Sequence, residues 1–131
     1  MTANIIIEMA SDGGFSCYAQ ESFDGFALFG YGDTVAETKR DLLDSFMEIK
    51  ELMGQEGKQV PKLEFVYHYD MKSFFDYFDF LNVSKVAERA GINPSLMRKY
   101  TSGVAKAGDK QYAKLSSAVK SFASELQSAS F

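Results

Sequence analysis

The residues that could support catalysis in this chain are scattered acids. Glu8, Asp12, Asp24 and Asp33 could hold Mg²⁺ for a nuclease if their carboxylates converged from the centres of strands. Only Glu8 falls within a predicted strand, whereas the three aspartates fall in predicted turns, where aspartate commonly hydrogen-bonds to nearby backbone. The turn interpretation explains the aspartates, so a nuclease remains an alternative hypothesis that depends on Glu8.

The single histidine and the single cysteine offer little further chemistry. His68 lies in a predicted strand with no Asp or Ser placed as its partner, and Cys17 alternates with polar residues as a small core residue does. One His and one Cys cannot build a zinc site or a Cys-His nucleophile pair, and no glycine-rich phosphate loop is present. We therefore expect no catalytic residue, no metal and no cofactor.

Recognition of DNA is the chemistry that residues 84–106 indicate. A helix over residues 84–90, a stop at Gly91 and a second helix that begins with Asn93 and Pro94 have the spacing of a helix-turn-helix. The inner face of this pair is predicted to be apolar, and its members are Val86, Ala87, Ala90, Ile92, Met97 and Tyr100. An ordinary helical hairpin with a solvated outer face is the alternative.

The outward residues of the second helix are small, polar or basic, as a helix in a major groove requires. They are Asn93, Ser95, Arg98, Lys99, Thr101 and Ser102. Arg98 could read a guanine edge and Lys99 could bind a phosphate. Lys85, Arg89 and Lys106 could add contacts to the DNA backbone, which position a protein without specifying a sequence.

The charge of the chain supports two unlike partners. Residues 1–70 carry five Lys and Arg against thirteen Asp and Glu, a net charge of −8, whereas residues 71–131 carry nine against five, a net charge of +4. An acidic region joined to a basic one favours one basic partner and one polyanion. Chance clustering on solvated surfaces is the alternative explanation.

Length and composition limit the class of protein. The chain has 131 residues, of which 46% are hydrophobic, so it can form one domain or two small ones that we expect to associate further. No apolar run approaches the roughly 20 residues of a membrane span, and residues 1–4 do not resemble a secretory signal. With one cysteine no intrachain disulfide is possible, so a cytoplasmic protein is expected.

The pattern of the chain predicts an α+β protein with two domains. Strands are predicted over residues 4–9, 15–20, 26–31 and 62–69, and a helix that Thr34 caps follows the third strand, giving β-β-β-α-β in residues 1–70. Residues 71–131 are predicted to form an all-α helix-turn-helix bundle. Its helices span residues 71–81, 84–90, 93–100 and 110–126, and Ser84 is the predicted cap of the second.

Two segments resemble known families. Residues 30–38, GYGDTVAET, with the hairpin around Gly13 and Gly14 before them, resemble the HicB antitoxins, whose first domain is a partial ribonuclease H-like sheet. Residues 86–103, VAERAGINPSLMRKYTSG, resemble the helix-turn-helix of lambda-repressor-like proteins. The two domains that these resemblances imply would together cover nearly the whole chain.

The resemblance implies a non-enzymatic antitoxin of a type II toxin-antitoxin system. The first domain would bind and neutralise a HicA-like toxin, a small basic mRNA interferase, and the second would bind double-stranded operator DNA as a homodimer or higher oligomer. The acidic residues Glu8, Asp12, Glu21 and Asp24 are candidates for the toxin contact by position. A stand-alone transcriptional regulator and a protein-binding dimerisation module without a toxin remain alternatives.

Overall fold

Four strands and five helices make up the computed structural model, which describes residues 1–131. In chain order they are β1 (Thr2–Met9), β2 (Phe15–Ala19), β3 (Phe29–Gly32), α1 (Val35–Gln55), β4 (Glu64–Tyr69), α2 (Met71–Tyr77), α3 (Val83–Ala90), α4 (Pro94–Thr101) and α5 (Asp109–Ser128). They form two units, Met1–Asp70 and Met71–Phe131, called here the first and second unit. The α+β class is confirmed, and none of the helices is long and apolar enough to cross a membrane.

The first unit is a mixed four-stranded sheet that α1 covers on one face. The strand order is β3-β2-β1-β4, with β1, β2 and β3 antiparallel and β4 parallel to β1 after the α1 crossover. Side chains alternate between the two faces of a strand, so Ala3, Ile5 and Ile7 of β1 are fully buried while their neighbours are not. We call the face opposite α1 the open face.

Two glycines of β3 allow α1 to lie directly against the sheet. A Cβ atom on Gly30 would lie 2.5 Å from the carbonyl oxygen of Thr38 and 2.9 Å from the backbone nitrogen of Leu42. A Cβ on Gly32 would lie 2.8 Å from the backbone nitrogen of Thr38. Because the glycines face the helix, the alternating residues Phe29 and Tyr31 point to the open face and are exposed.

The third strand begins three residues later than the sequence pattern predicts. Phe26 does not belong to β3 but forms an isolated bridge with Phe23, and the two rings stack with centroids 5.0 Å apart. The Phe26 ring also lies 6.5 Å from the Phe46 ring of α1. The two rings thus pack around the turn at Asp24 and Gly25, and the regular pairing of β3 with β2 begins only at Phe29.

The start of α1 follows the predicted cap with one difference. The Thr34 hydroxyl accepts a hydrogen bond from the Glu37 backbone N–H at 3.1 Å, as expected. The Glu37 carboxylate, however, accepts from the backbone N–H of Asp33, one residue before the cap, at 3.0 Å. Both bonds satisfy backbone donors near the helix N-terminus, which orders the link from β3 into α1.

The second unit contains only helices, and two of their bounds differ from the prediction. Helix α2 ends at Tyr77 rather than at residue 81, and residues 78–80 form a turn. Helix α3 begins at Val83 because Asn82, not Ser84, is its cap: the Asn82 side-chain oxygen accepts from the Lys85 N–H at 3.0 Å. The core of this unit includes Met71, Phe75, Val86, Ala87, Ile92, Met97, Tyr100 and Leu115.

Candidate nucleic-acid interface

A short turn holds α3 against α4. Gly91 follows α3 in the left-handed region, with φ 71° and ψ 30°, which a residue without a Cβ adopts at no steric cost. The backbone N–H of Ile92 then donates to the Ala87 carbonyl oxygen at 2.9 Å, closing the end of α3. Ile92 is buried, so the turn is fixed by both hydrogen bonding and packing.

Asn93 and Pro94 begin α4 as the sequence predicts. The Asn93 side-chain oxygen accepts from the backbone N–H groups of Ser95 and Leu96, at 2.9 and 3.3 Å. Pro94 occupies the first turn, where its missing N–H leaves no hydrogen bond unmade. The side-chain oxygen of Asn93, one of the predicted DNA contacts, is therefore committed to capping the helix.

The two faces of α4 differ in polarity. Met97 is fully buried and Tyr100 is buried beside it, whereas Ser95, Arg98, Lys99 and Ser102 are exposed. Spacings of three and four residues place these four exposed side chains on one side of the helix. Thr101 is half-buried and its hydroxyl donates to the Arg98 carbonyl, so it contributes less to that surface.

The Arg98 side chain lies across the α3–α4 pair. Its two terminal nitrogens donate to the hydroxyl oxygens of Ser84 on α3, at 3.1 Å, and Ser95, at 3.3 Å. A guanidinium carries five N–H donors, so three are left for another acceptor. The two serines hold the planar group in one orientation, which lowers the entropy lost when it binds a ligand. Ser84 was predicted as a helix cap, and this positioning contact gave no signal in the sequence.

The remaining predicted cations occupy different places. Lys85 and Arg89 lie one turn apart on α3, and they border a cavity with residues of α5 rather than the exposed face of α4. Arg89 pairs with Glu125 of α5 at 2.6 Å. Both partners are more than half exposed, so this ion pair stabilises by at most about 1 kcal/mol and a phosphate could compete for Arg89. Lys106 is exposed in the link from α4 to α5.

The four acids predicted to contact a protein partner are not equivalent. Glu8 lies on the open face and is exposed, and its carboxylate accepts from the Tyr18 hydroxyl at 3.3 Å. Asp12 accepts from the Gly14 N–H at 2.9 Å within the β1–β2 hairpin. Asp24 is exposed in the turn between Phe23 and Phe26. Only Glu8 among them belongs to a strand.

Glu21 has a structural role at the start of β1. Its carboxylate accepts from the backbone N–H of Asn4, at 2.8 and 3.1 Å to its two oxygens, and from the Asn4 side-chain amide. The hydrogen bond from the Asn4 side chain, together with the backbone bonds, lowers the pKa of Glu21 below its usual value. The Asn4 side-chain oxygen in turn lies 2.9 Å from Nε2 of His68, so His68 is part of the same network.

The residues considered for catalysis do not come together. Burial, followed by the negative charge of Asp41, raises the pKa of Cys17 to about 11, so its thiol stays protonated at neutral pH. Within residues 1–131, no three His, Cys, Asp or Glu side chains form a group that could hold a metal ion. Glu8, Asp12 and Asp24 are placed separately on a strand, in a hairpin and in a turn.

Sequence reasoning missed the aromatic residues of the open face. Phe29 and Tyr31 are 51% and 65% exposed, and Tyr18 lies beside them across the strand pair. A signal was present in residues 29–32, FGYG, because glycines at alternate positions of a strand indicate a face that another backbone approaches. The aromatic residues between them must then lie on the other face.

Comparison of the chain with protein-family models, curated proteins and solved structures found no match.

Proposed function

We propose that this protein is a DNA-binding repressor of the HicB antitoxin type. Helices α3 and α4 would act as a helix-turn-helix, and the first unit would bind a basic protein, a HicA-like toxin. The observation that carries the proposal is the exposed face of α4, on which a positioned arginine and a lysine lie next to two serines.

The α3–α4 pair has the features that a helix in a major groove needs. The two helices are joined by three residues and share one buried core, so α4 is presented as a rigid element. Its outward side chains are short or basic, which lets a helix about 10–12 Å wide enter a groove about 12 Å wide. Arg98 keeps donors for the O6 and N7 acceptors of a guanine, and Lys99 is exposed for a phosphate.

Most cations of the second unit are available to a polyanion. Of its nine Lys and Arg, Lys72 pairs with Asp76 and Arg89 with Glu125. No carboxylate lies within ion-pair distance of the side chains of Lys85, Arg98, Lys99 and Lys106. A dimer that neutralises about five phosphates would show a slope of about −4.5 in a plot of log affinity against log salt concentration.

The test is binding of the purified chain to the DNA immediately upstream of its own gene, beside random DNA of equal length, at several salt concentrations. We expect preference for the upstream DNA and the steep salt dependence described above.

Two variants separate base recognition from phosphate binding. Arg98→Ala should lose about 1–3 kcal/mol of binding free energy on the specific site and little on random DNA, whereas Lys99→Ala should weaken binding to both alike. Lys62→Ala, which removes an exposed cation of the first unit, is the matched control. Salt-insensitive binding, or equal affinity for both DNAs, would reject the repressor.

A protein-binding module is the second candidate, and the aromatic residues around α2 favour it. Phe80 is 78% exposed and Tyr77 is 40% exposed, next to a cluster in which the Phe78 ring lies 4.9 Å from the Phe74 ring. Apolar side chains that lie together at the surface favour a protein–protein contact there. Absence of DNA affinity, together with loss of self-association in Phe80→Ala by analytical ultracentrifugation, would favour this function over repression.

A further inference from the structure

The open face of the first unit is an aromatic surface that no element of that unit covers. Strand register places Phe29 opposite Tyr18, Tyr18 opposite Ile6, and Ile6 opposite His68, so these four side chains form one row across the sheet. The next row contains Tyr31, Ser16 and Glu8. Phe29 and Tyr31 are more than half exposed, whereas the other face of the same strands is buried against α1.

The acidic and basic side chains of this face are carboxylates and one histidine, and Nε2 of His68 lies 2.9 Å from the side-chain oxygen of Asn4. None of the four strands contains a lysine or an arginine, and the five cations of the first unit all lie on α1 or in the link from α1 to β4. Glu8 and Glu64 are exposed on the open face. A partner that covers this face must therefore bring positive charge to meet the acids.

The side chains around Glu8 on this face are of the types that bind an arginine. The Glu8 carboxylate is held by the Tyr18 hydroxyl, at 3.3 Å, and the small side chain of Ser16 separates Glu8 from Tyr31 in the same row. Burial, followed by the charge of Glu8, raises the pKa of Tyr18, so the hydroxyl keeps the proton that it donates. A guanidinium over Ser16 could pair with the carboxylate and stack on an aromatic ring at once, which an ammonium group does less well.

We propose that the open face docks an arginine-bearing surface of a basic protein, with Glu8 receiving the guanidinium between Tyr18 and Tyr31. This inference rests on the basic-partner part of the proposed function. A second copy of this chain does not supply that charge, because a symmetric contact would bring together two faces whose strands carry no lysine or arginine. A nucleic acid does not fit, because its phosphates would meet the carboxylates of the face.

The experiment uses the intact chain and a hexa-arginine peptide as the probe, with hexa-lysine as the comparison. NMR shifts of backbone amides should change at Glu8, Ser16, Tyr18 and Tyr31 and not along the exposed side of α1. Hexa-arginine should bind about two- to fivefold more tightly than hexa-lysine, which corresponds to an exposed cation–π contribution of about 0.5–1 kcal/mol.

Variants separate the proposed site from general attraction by charge. Glu8→Gln and Tyr31→Ala should each weaken hexa-arginine about two- to fivefold beyond the effect of Glu48→Gln, an exposed acid of α1 that gives the same charge change. The proposal is overturned if Glu8→Gln and Glu48→Gln act alike, if shifts spread over α1, or if the peptide does not bind. It is also overturned if dilution alone shifts the same amides, because the face would then belong to a second copy.

The same variants distinguish this inference from the proposed function. Glu8→Gln and Tyr31→Ala should keep the affinity of the chain for its upstream DNA, since both residues lie in the first unit. A negative peptide result with intact, sequence-specific DNA binding rejects the docking surface alone. A positive peptide result with no sequence-specific DNA binding rejects the repressor and leaves the docking surface supported.

Discussion

Charged residues serve different purposes in the two units. In the first unit, Asp12, Glu21, Glu37 and Asp41 each accept a hydrogen bond from a backbone N–H, so part of the negative charge holds turns, a helix start and a strand edge. In the second unit, most cations have no carboxylate partner and project into solvent. Net charges of −8 and +4 therefore overstate the binding potential of the first unit relative to the second.

A charge counted from the sequence is therefore not always available to a partner. Glu8 and Glu21 were equal candidates in the sequence, but Glu21 is held by three hydrogen bonds from Asn4 while Glu8 has one partner and faces solvent. Arginine shows an intermediate case, because Arg98 is positioned by two serines and still keeps free donors.

The largest effects should come from emptying the two cores. Leu42 and Met97 are each fully buried, one in each unit, and replacement of either by Ala should cost about 2–5 kcal/mol of unfolding free energy. Amide hydrogen exchange of the intact chain should quicken in the sheet and α1 for Leu42→Ala, and in α3 and α4 for Met97→Ala. Only Met97→Ala should reduce DNA affinity. Faster exchange in both units for either variant would show that the cores are not separate.

Two glycines of the first unit should respond to alanine with opposite signs. Gly30→Ala places a methyl group 2.5 Å from the Thr38 carbonyl oxygen, so it should destabilise by about 1–3 kcal/mol or more. Gly54 lies in α1 with no atom within 4 Å of an added Cβ, so Gly54→Ala should stabilise by about 0.5–1 kcal/mol. Urea unfolding measures both. Equal effects would contradict the close contact between β3 and α1.

Substitution of Asn93 distinguishes a role in capping α4 from a role in contacting DNA. Asn93→Ala should cost about 1 kcal/mol, because the N–H groups of Ser95 and Leu96 lose their acceptor. Asn93→Ser keeps a capping oxygen and should restore both the thermal stability and the affinity for upstream DNA. A serine variant with the parent's melting temperature but weaker DNA binding would instead assign the side-chain amide to the DNA.

The smallest effect concerns the pH dependence of the first unit. Because the pKa of Glu21 is lowered below its usual value of 4.5, its stabilisation is present above pH 4.5 and is lost as the pH falls through the lowered value. The difference in melting temperature between the parent and Glu21→Gln should thus be greatest near neutral pH and shrink in acid. Glu48→Gln, exposed on α1, should show no comparable trend. A difference independent of pH would mean that the charge of Glu21 is not what stabilises the fold.

Local signals predicted most elements, and tertiary contacts decided the differences. Thr34, Gly91, Asn93 and Pro94 act within one or two turns of the chain, so their effects could be read from the sequence alone. The late start of β3 depends instead on Phe26 stacking with Phe23 and packing near Phe46. Neither the stacking of Phe26 on Phe23 nor its packing near Phe46 of α1 leaves a periodic pattern in the sequence.

The candidate site was predictable to a similar extent. Helical spacing correctly predicted which side of α4 is exposed, because burial of Met97 and Tyr100 fixes the rotation of the helix. The contact of Arg98 with Ser84 and the pairing of Arg89 with Glu125 depend on distances between elements. Such distances emerge only when the helices have packed.

One hydrogen bond of the first unit bears on how this protein behaves at high concentration. Strand β3 is an edge of the sheet, and the Asp41 carboxylate of α1 accepts the outward N–H of Tyr31 at 2.8 Å. An unpaired edge with exposed aromatic side chains is the usual template for fibril growth. By occupying a backbone donor and placing a negative charge beside it, Asp41 makes the addition of a strand from another molecule unfavourable. Phe29 and Tyr31 of β3 can thus stay exposed without making that strand a template for amyloid growth.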